Sequence, residues 1–311
     1  MEFTSAINHM GESNLTKDVQ AFFARRPSRR PKPLGTGGWG AVYPLGPSMA
    51  LKAYLKDKCD ITEPARQIHL ASRLPAAPHF FEGGNIRGRL YLVMEKLIGC
   101  DAHYLSKSFR TLRNEVQYRV ASDIIEAGCR QTWKKGLSHR DVKAENCFLD
   151  TQGNMHILDF DFLMEFPPLE NTVDSPLTTY GTVGYMAPEA ACGTTSRKTD
   201  LYGSGATLFR LATDQHLSTV LGFRSNIFQC IKFYQQPAKK TQPKIHRAIR
   251  KNVADPFLRT LISEMLIVDP EQRPSPDDLP DDITAHAADR NDVVKEIAAV
   301  VKKFGAALRH T

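Results

Sequence analysis

Leu137-Ser138-His139-Arg140-Asp141-Val142-Lys143-Ala144-Glu145-Asn146 is the stretch on which the reading of this chain turns. It sets an acid, a cation and an amide along one short segment. Asp141 can accept a proton from a hydroxyl and align it. Lys143 can sit beside an anionic group in transfer, and Asn146 can offer its amide oxygen to a metal. Thirteen residues after Asn146 comes Asp159, directly behind the apolar run Ile157-Leu158. A carboxylate that follows a buried strand is well placed for a hard cation. Magnesium takes one or two carboxylates and completes its shell with phosphate oxygens and water. Each residue alone reads as a surface charge. In this order they point to positioning and charge neutralisation around a phosphate.

Upstream, Gly35-Thr36-Gly37-Gly38-Trp39-Gly40-Ala41-Val42 fits G-x-G-x-x-G-x-V. Glycines let a backbone turn with positive φ and approach a ligand with no side chain in the way. The same spacing opens a dinucleotide fold, which needs a helix directly after the glycines. Here Ala41-Val42-Tyr43 reads as a strand, Gly46-Pro47-Ser48 as a turn and 49–54 as another strand, which favours a hairpin over a nucleotide. Lys52 lies in that last strand. It reads as a clamp on phosphates or, taken alone, as an edge lysine facing water, because a buried ammonium needs a partner.

Together, from about Leu34 to Ser275, these motifs resemble the eukaryotic-type protein kinase family, in its serine/threonine form. Three later motifs support the resemblance. Gly181-Thr182 to Ala187-Pro188-Glu189 looks like the end of an activation segment. Asp200 looks like the helix aspartate that anchors the catalytic loop, and Arg273 like the arginine that pairs with Glu189. The resemblance implies an α+β, two-lobed kinase-like fold. A small β-rich N-lobe, a five-stranded antiparallel sheet with one helix, spans 32–95. A hinge at 95–99 leads to a larger helical C-lobe at 100–286. Residues 1–31 form a basic extension with a short amphipathic helix, and 287–311 a C-terminal amphipathic helix.

The resemblance also implies magnesium-dependent transfer of the ATP γ-phosphate to a serine or threonine of a protein, with ATP and Mg2+ as the cofactors. Asp141, Lys143 and Lys52 are the implied catalytic residues, with Asn146 and Asp159 on the metal. The loop Gly35, Thr36, Gly37, Gly38, Trp39 and Gly40 is expected over the phosphates with Lys52. Val42, Ala50 and Phe148 sandwich the base, Met94 is the gatekeeper, backbone groups of Glu95 and Leu97 meet the adenine edge, and Asp101 lies near the ribose. Lys143 and Gly181-Thr182 fit the serine/threonine pattern. So compact a kinase also resembles bacterial effector or phage-type members.

Two features depart from the pattern. The metal-binding tripeptide is Asp159-Phe160-Asp161, with aspartate where the family has glycine, and is expected to restrict the backbone there. The helix carboxylate that should face Lys52 is either Glu63 or, at the usual separation, the uncharged Gln67; Glu63 is favoured. These departures leave a pseudokinase or low-activity kinase, acting as a binding module, as the alternative. Arg140 is expected to meet a phosphate on the activation segment. Candidate acceptors are Thr172, Ser175, Thr178, Thr179 and Tyr180, with autophosphorylation expected at Thr178 or Thr179.

The rest of the sequence bounds the class. Forty-one per cent apolar and 24 per cent charged residues are ordinary for a globular chain. No apolar run reaches the roughly 18 residues of a transmembrane helix, and no signal peptide is visible at Met1. Six scattered cysteines without C-x-x-C spacing read as free thiols, which suits a cytoplasmic protein or one delivered into a host cell. The net charge of +7 is partly local to Arg25, Arg26, Arg29, Arg30 and Lys32. With no aromatic residues interleaved, that run reads as a solvated arm, or one meeting an acidic partner or anionic surface, and no nucleic acid is expected. The implied partner is a protein substrate. Val294, Ile297, Val301, Phe304 and Leu308 form a helical stripe that packs on the body, or else takes a partner or a second copy.

Overall fold

The computed structural model describes residues 12–55, 64–86, 88–174, 181–279 and 282–304. They fall into two compact units, the first within 1–60 and 79–96 and the second within 61–78 and 97–308.

The first unit is a helix on a sheet. Helix α1 (Glu12–Ala24) is followed by β1 (Gly35–Thr36), β2 (Gly40–Pro44), β3 (Met49–Tyr54), β4 (Phe80–Ile86) and β5 (Arg89–Glu95). The strands form one antiparallel sheet in the order β1-β2-β3-β5-β4. Alternate residues of a strand face opposite sides, and residues directly opposite one another share a side. One side carries Tyr43, Leu51, Tyr91 and Val93, which pack with Leu15, Val19, Phe22 and Phe23 of α1 into a single core. The stripe at helical spacing in α1 is therefore spent on the back of the sheet. Val19 is 0% exposed and Phe22 3%, and full burial of such a side chain contributes about 1.5–3 kcal/mol. Arg30 stacks over the rings of Phe22 and Phe23 at 5.0 and 5.8 Å, so this cation of the basic run is not simply solvated.

The second unit opens with α2 (Pro64–Ala71) and continues through β6 (Gly99–Asp101), α3 (Ala102–Phe109), α4 (Asn114–Ile125), a π-helical turn at Glu126–Arg130, α5 (Gln131–Lys134), β7 (Leu137–Ser138), β8 (Cys147–Asp150), β9 (Met155–Ile157), β10 (Met164–Glu165) and β11 (Thr172–Asp174). Then come α6 (Pro188–Ala191), β12 (Thr194–Ser196), α7 (Thr199–Thr213), α8 (Leu217–Val220), α9 (Ile227–Tyr234), α10 (Ala238–Asn252), α11 (Pro256–Met265), α12 (Asp282–Ala285) and α13 (Arg290–Phe304). Every residue of α7 is buried, which makes it the central post of this unit. β6, β8 and β9 form a small antiparallel sheet.

The domain boundaries differ from the sequence expectation in two places. α1 was expected in an extension, yet its stripe joins it to the sheet. α2 was expected with the sheet, yet its end is tied to the helical unit: Arg73 donates to Lys135 O at 2.8 Å, Ala76 N to Gln131 Oε1 at 2.9 Å, and Ile157 N to Ala76 O at 3.0 Å. The stripe of α13 is also offset. Val293, Ile297 and Val300 are the buried positions, with Val294 and Val301 half-buried. Arg113 pairs with Asp292 at 3.3 Å and with Glu296, fixing α13 beside the start of α4. Leu308 and the Phe304 side chain lie outside the described residues.

Phe22→Ala is expected to destabilise the sheet unit by about 3–5 kcal/mol, read as a lowered urea midpoint. Phe228→Ala, at a side chain 79% exposed, should move it by no more than about 0.5 kcal/mol. Equal shifts would mean that α1 does not complete the core.

Candidate active site

In the sheet unit the glycine run is a hairpin. Gly35 pairs with Val42 and Thr36 with Ala41, and Gly37 N donates to Gly40 O at 2.8 Å. A strand, not a helix, follows the glycines, which removes the dinucleotide reading. Gly40 is required by packing, because a Cβ there would lie 2.4 Å from Ala53 O. A Cβ on Gly37 or Gly38 would meet nothing within 4 Å, so the tip is open at these two glycines, while Trp39 is half-buried. The side of the sheet opposite α1 carries Val42, Ala50, Lys52, Leu92 and Met94, in the cross-strand pairs Val42–Lys52, Lys52–Leu92 and Ala50–Met94. Lys52 is 8% exposed and its Nζ lies 4.9 Å from the Tyr54 ring centroid, so it does not face water. Glu95 N donates to His79 O at 2.7 Å, which commits that N–H.

In the helical unit the site is built around Asp200. This carboxylate, on the first turn of α7, accepts from Thr132 Oγ1 at 3.0 Å, Ser138 Oγ at 3.1 Å, His139 N at 2.7 Å and Arg140 N at 2.9 Å. Burial pushes its carboxyl above the ordinary aspartate range, against the pull of His139 and these donors. The two backbone bonds hold Arg140 at φ +66°, a conformation rare for a bulky residue. His139 ties the loop to the next segment: its Nε2 donates to Leu158 O at 3.0 Å while Nδ1 accepts from Asp141 N at 3.3 Å. Val142 is hemmed by two glycines. A Cβ at Gly128 in the π turn would lie 3.2 Å from Val142 Cγ1, and one at Gly203 in α7 2.8 Å from Val142 O.

So fixed, the side chains of the loop converge. Asp141, 6% exposed, accepts from Lys143 Nζ at 2.7 Å through Oδ2 and from Thr182 Oγ1 at 2.8 Å through Oδ1. Lys143 Nζ also reaches Thr182 Oγ1 at 3.1 Å. Burial raises the Asp141 carboxyl above its ordinary value, opposed by Lys143. Burial likewise works against the Lys143 ammonium, but the Asp141 and Asp159 carboxylates outweigh it and raise its pKa. Asn146 donates its Nδ2 to Asp141 O at 2.9 Å, which leaves Oδ1 as the acceptor end. Cys147 pairs with Ile157, and Leu158 N donates to Asn146 O at 2.8 Å. The residue before Asp159 is therefore bonded to Asn146. The donor set is hard oxygen, one amide and one half-buried carboxylate. It fits magnesium with room for phosphate oxygens, and among the described residues no group of three or more His, Cys, Asp or Glu competes as a metal site.

Asp159 has φ +66°, whereas Asp161 is not among the residues with positive φ. The backbone demand expected at 161 falls two residues earlier, on a residue type that tolerates the left-handed region. Asp161 is buried at 1% exposure. Phe148 lies opposite Asp101 in the β6–β8 pair. Asp101 caps α3 by accepting from Tyr104 N at 2.9 Å, and burial pushes its carboxyl up to about 6. Leu97 belongs to this unit, and Gln67 is fully buried on α2. Glu63 lies outside the described residues, as do Ser175, Thr178, Thr179 and Tyr180. Thr172 sits in β11 opposite Ser196 of β12, and Arg140 Nε donates to Phe162 O at 2.6 Å. Thr182 is the contact that sequence reading missed. Its place in Gly181-Thr182 marked a family pattern, and nothing in the spacing showed that its hydroxyl would bridge Asp141 and Lys143.

The platform beyond is locked by Glu189. Arg273, 1% exposed, grips it with two bonds of 2.9 and 3.0 Å, and Ser196 and Thr199 hydroxyls donate to Oε1 at 2.9 and 3.0 Å. Burial alone would raise the Glu189 carboxyl, but the Arg273 charge and hydrogen bonds hold it below the ordinary range.

A family model described as "Protein kinase domain" matches residues 30–286. The chain is 31% identical to CBL-interacting serine/threonine-protein kinase 15 of Arabidopsis thaliana over 215 residues, covering 64% of this chain and 49% of that protein. It is 28% identical to serine/threonine-protein kinase Nek5 of Homo sapiens over 262 residues, covering 78% and 34%. It is 27% identical to serine/threonine-protein kinase pkn3 of Myxococcus xanthus over 264 residues, covering 78% and 46%. The chain thus spans half or less of the length of these relatives.

Arg273→Ala leaves Glu189 buried without its partner and should cost about 3–5 kcal/mol, measured by urea unfolding at neutral pH. Because the folded-state pKa of Glu189 is depressed, the pair's contribution is complete above the ordinary glutamate value of about 4.3 and is lost as pH falls through the depressed one. The gap between wild type and variant should close in acid. A gap independent of pH would contradict an ionised pair.

Proposed function

The chain belongs to the protein kinase family, and we propose that it is an ATP-dependent protein serine/threonine kinase whose Asp141 receives the acceptor hydroxyl. The observation that carries this reading is the Asp141–Lys143–Thr182 triangle, with contacts of 2.7, 2.8 and 3.1 Å. A carboxylate held from both sides by donors can align a hydroxyl and take its proton, which is what a general base requires. Lys143 is then the cation beside the group in transfer, where fixed positive charge offsets what develops in the transition state.

Asn146 and Asp159 would hold magnesium, which when bound neutralises phosphate charge. Lys52 and the loop Gly35–Gly40 would hold the phosphates, with Val42, Ala50, Met94, Glu95, Leu97, Asp101 and Phe148 around the nucleoside. Support for the sheet-unit roles comes from the shared side of Val42, Ala50, Lys52 and Met94. Support for a protein acceptor comes from the Glu189–Arg273 lock, which stiffens the segment that follows Thr182. Autophosphorylation at Thr178 or Thr179 belongs to the same reading and rests on Arg140. No helix of the described residues is long and apolar enough to cross a membrane.

Asp141→Asn should lower phosphoryl transfer from radiolabelled ATP to a generic protein by about 10²–10⁴-fold while leaving the urea midpoint near that of wild type. Label on protein with wild type and not with the variant supports the reading. Label on neither returns the chain to a binding role, and label confined to metabolites would make it a small-molecule phosphotransferase.

A further inference from the structure

The fifteen residues of α10, Ala238–Asn252, include Lys239, Lys240, Lys244, Arg247, Arg250 and Lys251 and not one acid. All six cations are exposed. Among the described residues, none of them lies within ion-pair distance of a carboxylate. Helix stability does not account for the pattern. Lys239 and Lys240 occupy the first turn, where the positive end of the helix dipole disfavours cations. Lys240–Lys244 and Arg247–Lys251 are like-charge pairs four residues apart, which destabilise a helix. Only Arg250 and Lys251, in the last turn, sit where the dipole favours them.

The charge lies along a concavity. A cavity of about 590 Å³ opens beside α10, walled by Lys239, His246, Arg247 and Arg250 and lined on its apolar parts by Pro243 and Ile267. Its one acid, Asp269, accepts from Glu271 N at 3.0 Å and is outnumbered by Lys239, Arg247 and Arg250 in the same lining. The volume is in the range of roughly 300–1,000 Å³ of small-ligand pockets, more than enough for one apolar side chain and its flanking backbone. A cationic rim over an apolar lining suits carboxylates flanking an apolar side chain. A flat bilayer would not fill such a hollow, and its lining holds a single aromatic ring, that of His246, where a strand of nucleic acid wants a series of rings for successive bases.

We propose that this groove docks an acidic segment of a partner protein, one that places an apolar side chain in the cavity and carboxylates on Lys239, Arg247 and Arg250. Resting on the kinase reading, the partner is a substrate whose docking segment is separate from its phosphorylated serine or threonine.

Binding and transfer are measured separately. A fluorescent peptide with one leucine among glutamates and aspartates should bind the full chain without ATP, and more weakly as salt rises. Lys239→Glu/Arg247→Glu/Arg250→Glu should weaken it by about tenfold or more. The neutral triple variant with glutamine at the same positions should fall between. In transfer assays, joining the acidic segment through a flexible linker to a serine peptide should raise kcat/KM in wild type and not in the triple variant, while the unjoined serine peptide is phosphorylated equally by both. Equal binding of the acidic peptide to wild type and both variants would overturn the proposal. So would tighter binding of duplex DNA or phosphatidylserine vesicles than of the peptide through these residues. Peptide binding that follows the charges, with no transfer to any protein, would sink the kinase reading and leave the docking groove standing.

Discussion

The carboxylate of Asp200 is the fixed point of the helical unit. It sits on a helix buried along its whole length and accepts four hydrogen bonds, two from backbone N–H groups of consecutive residues. Those two donors set the direction of the chain at His139 and Arg140. They hold Arg140 in a backbone conformation it would not choose, and Asp141 is presented on the far side of that turn. Strain of this kind persists only where the surroundings over-determine it. Here they do: His139 reaches across to Leu158, and Val142 is hemmed by Gly128 and Gly203. Removing the Asp200 carboxylate would leave two buried N–H groups without an acceptor, each worth about 1–3 kcal/mol.

The sheet unit solves a different problem. A strand layer must bury one apolar side, and α1 provides that cover with Val19, Phe22 and Phe23. The hairpin at Gly35–Gly40 can then stay open at Gly37 and Gly38, while Gly40, lacking a Cβ, lets its base lie close against Ala53. Lys52 lies on the side of the sheet that α1 leaves uncovered, in register with Val42 and Leu92.

Much of this is legible in the sequence. The order of glycine loop, Lys52, Asp141, Asn146 and Asp159 pointed to the fold because it resembles the motif order of the protein kinase family, whose model matches residues 30–286. Asp200, likened in the sequence to a helix aspartate that anchors the loop, does lie on a helix, α7, and accepts from His139 N and Arg140 N. What was not legible depends on contacts that no local pattern encodes. The stripe in α1 announced a buried face without saying what would bury it. The positive φ of Asp159 rather than Asp161 is set by the turn, not by residue preference. The register of α13 slipped because valines at 293, 294, 300 and 301 offer two equivalent stripes. The basic character of α10 was hidden because the net charge of +7 was credited partly to the run between Arg25 and Lys32.

On the proposed reading, Asn146 and Asp159, held beside the Asp200-anchored loop, bind a metal that a nucleotide shares. Calorimetric titration with a non-hydrolysable ATP analogue, with and without magnesium, tests it in wild type and in Asp159→Asn. Magnesium should strengthen nucleotide binding in wild type and have little effect in the variant. Magnesium-independent binding of equal strength in both proteins would contradict the account.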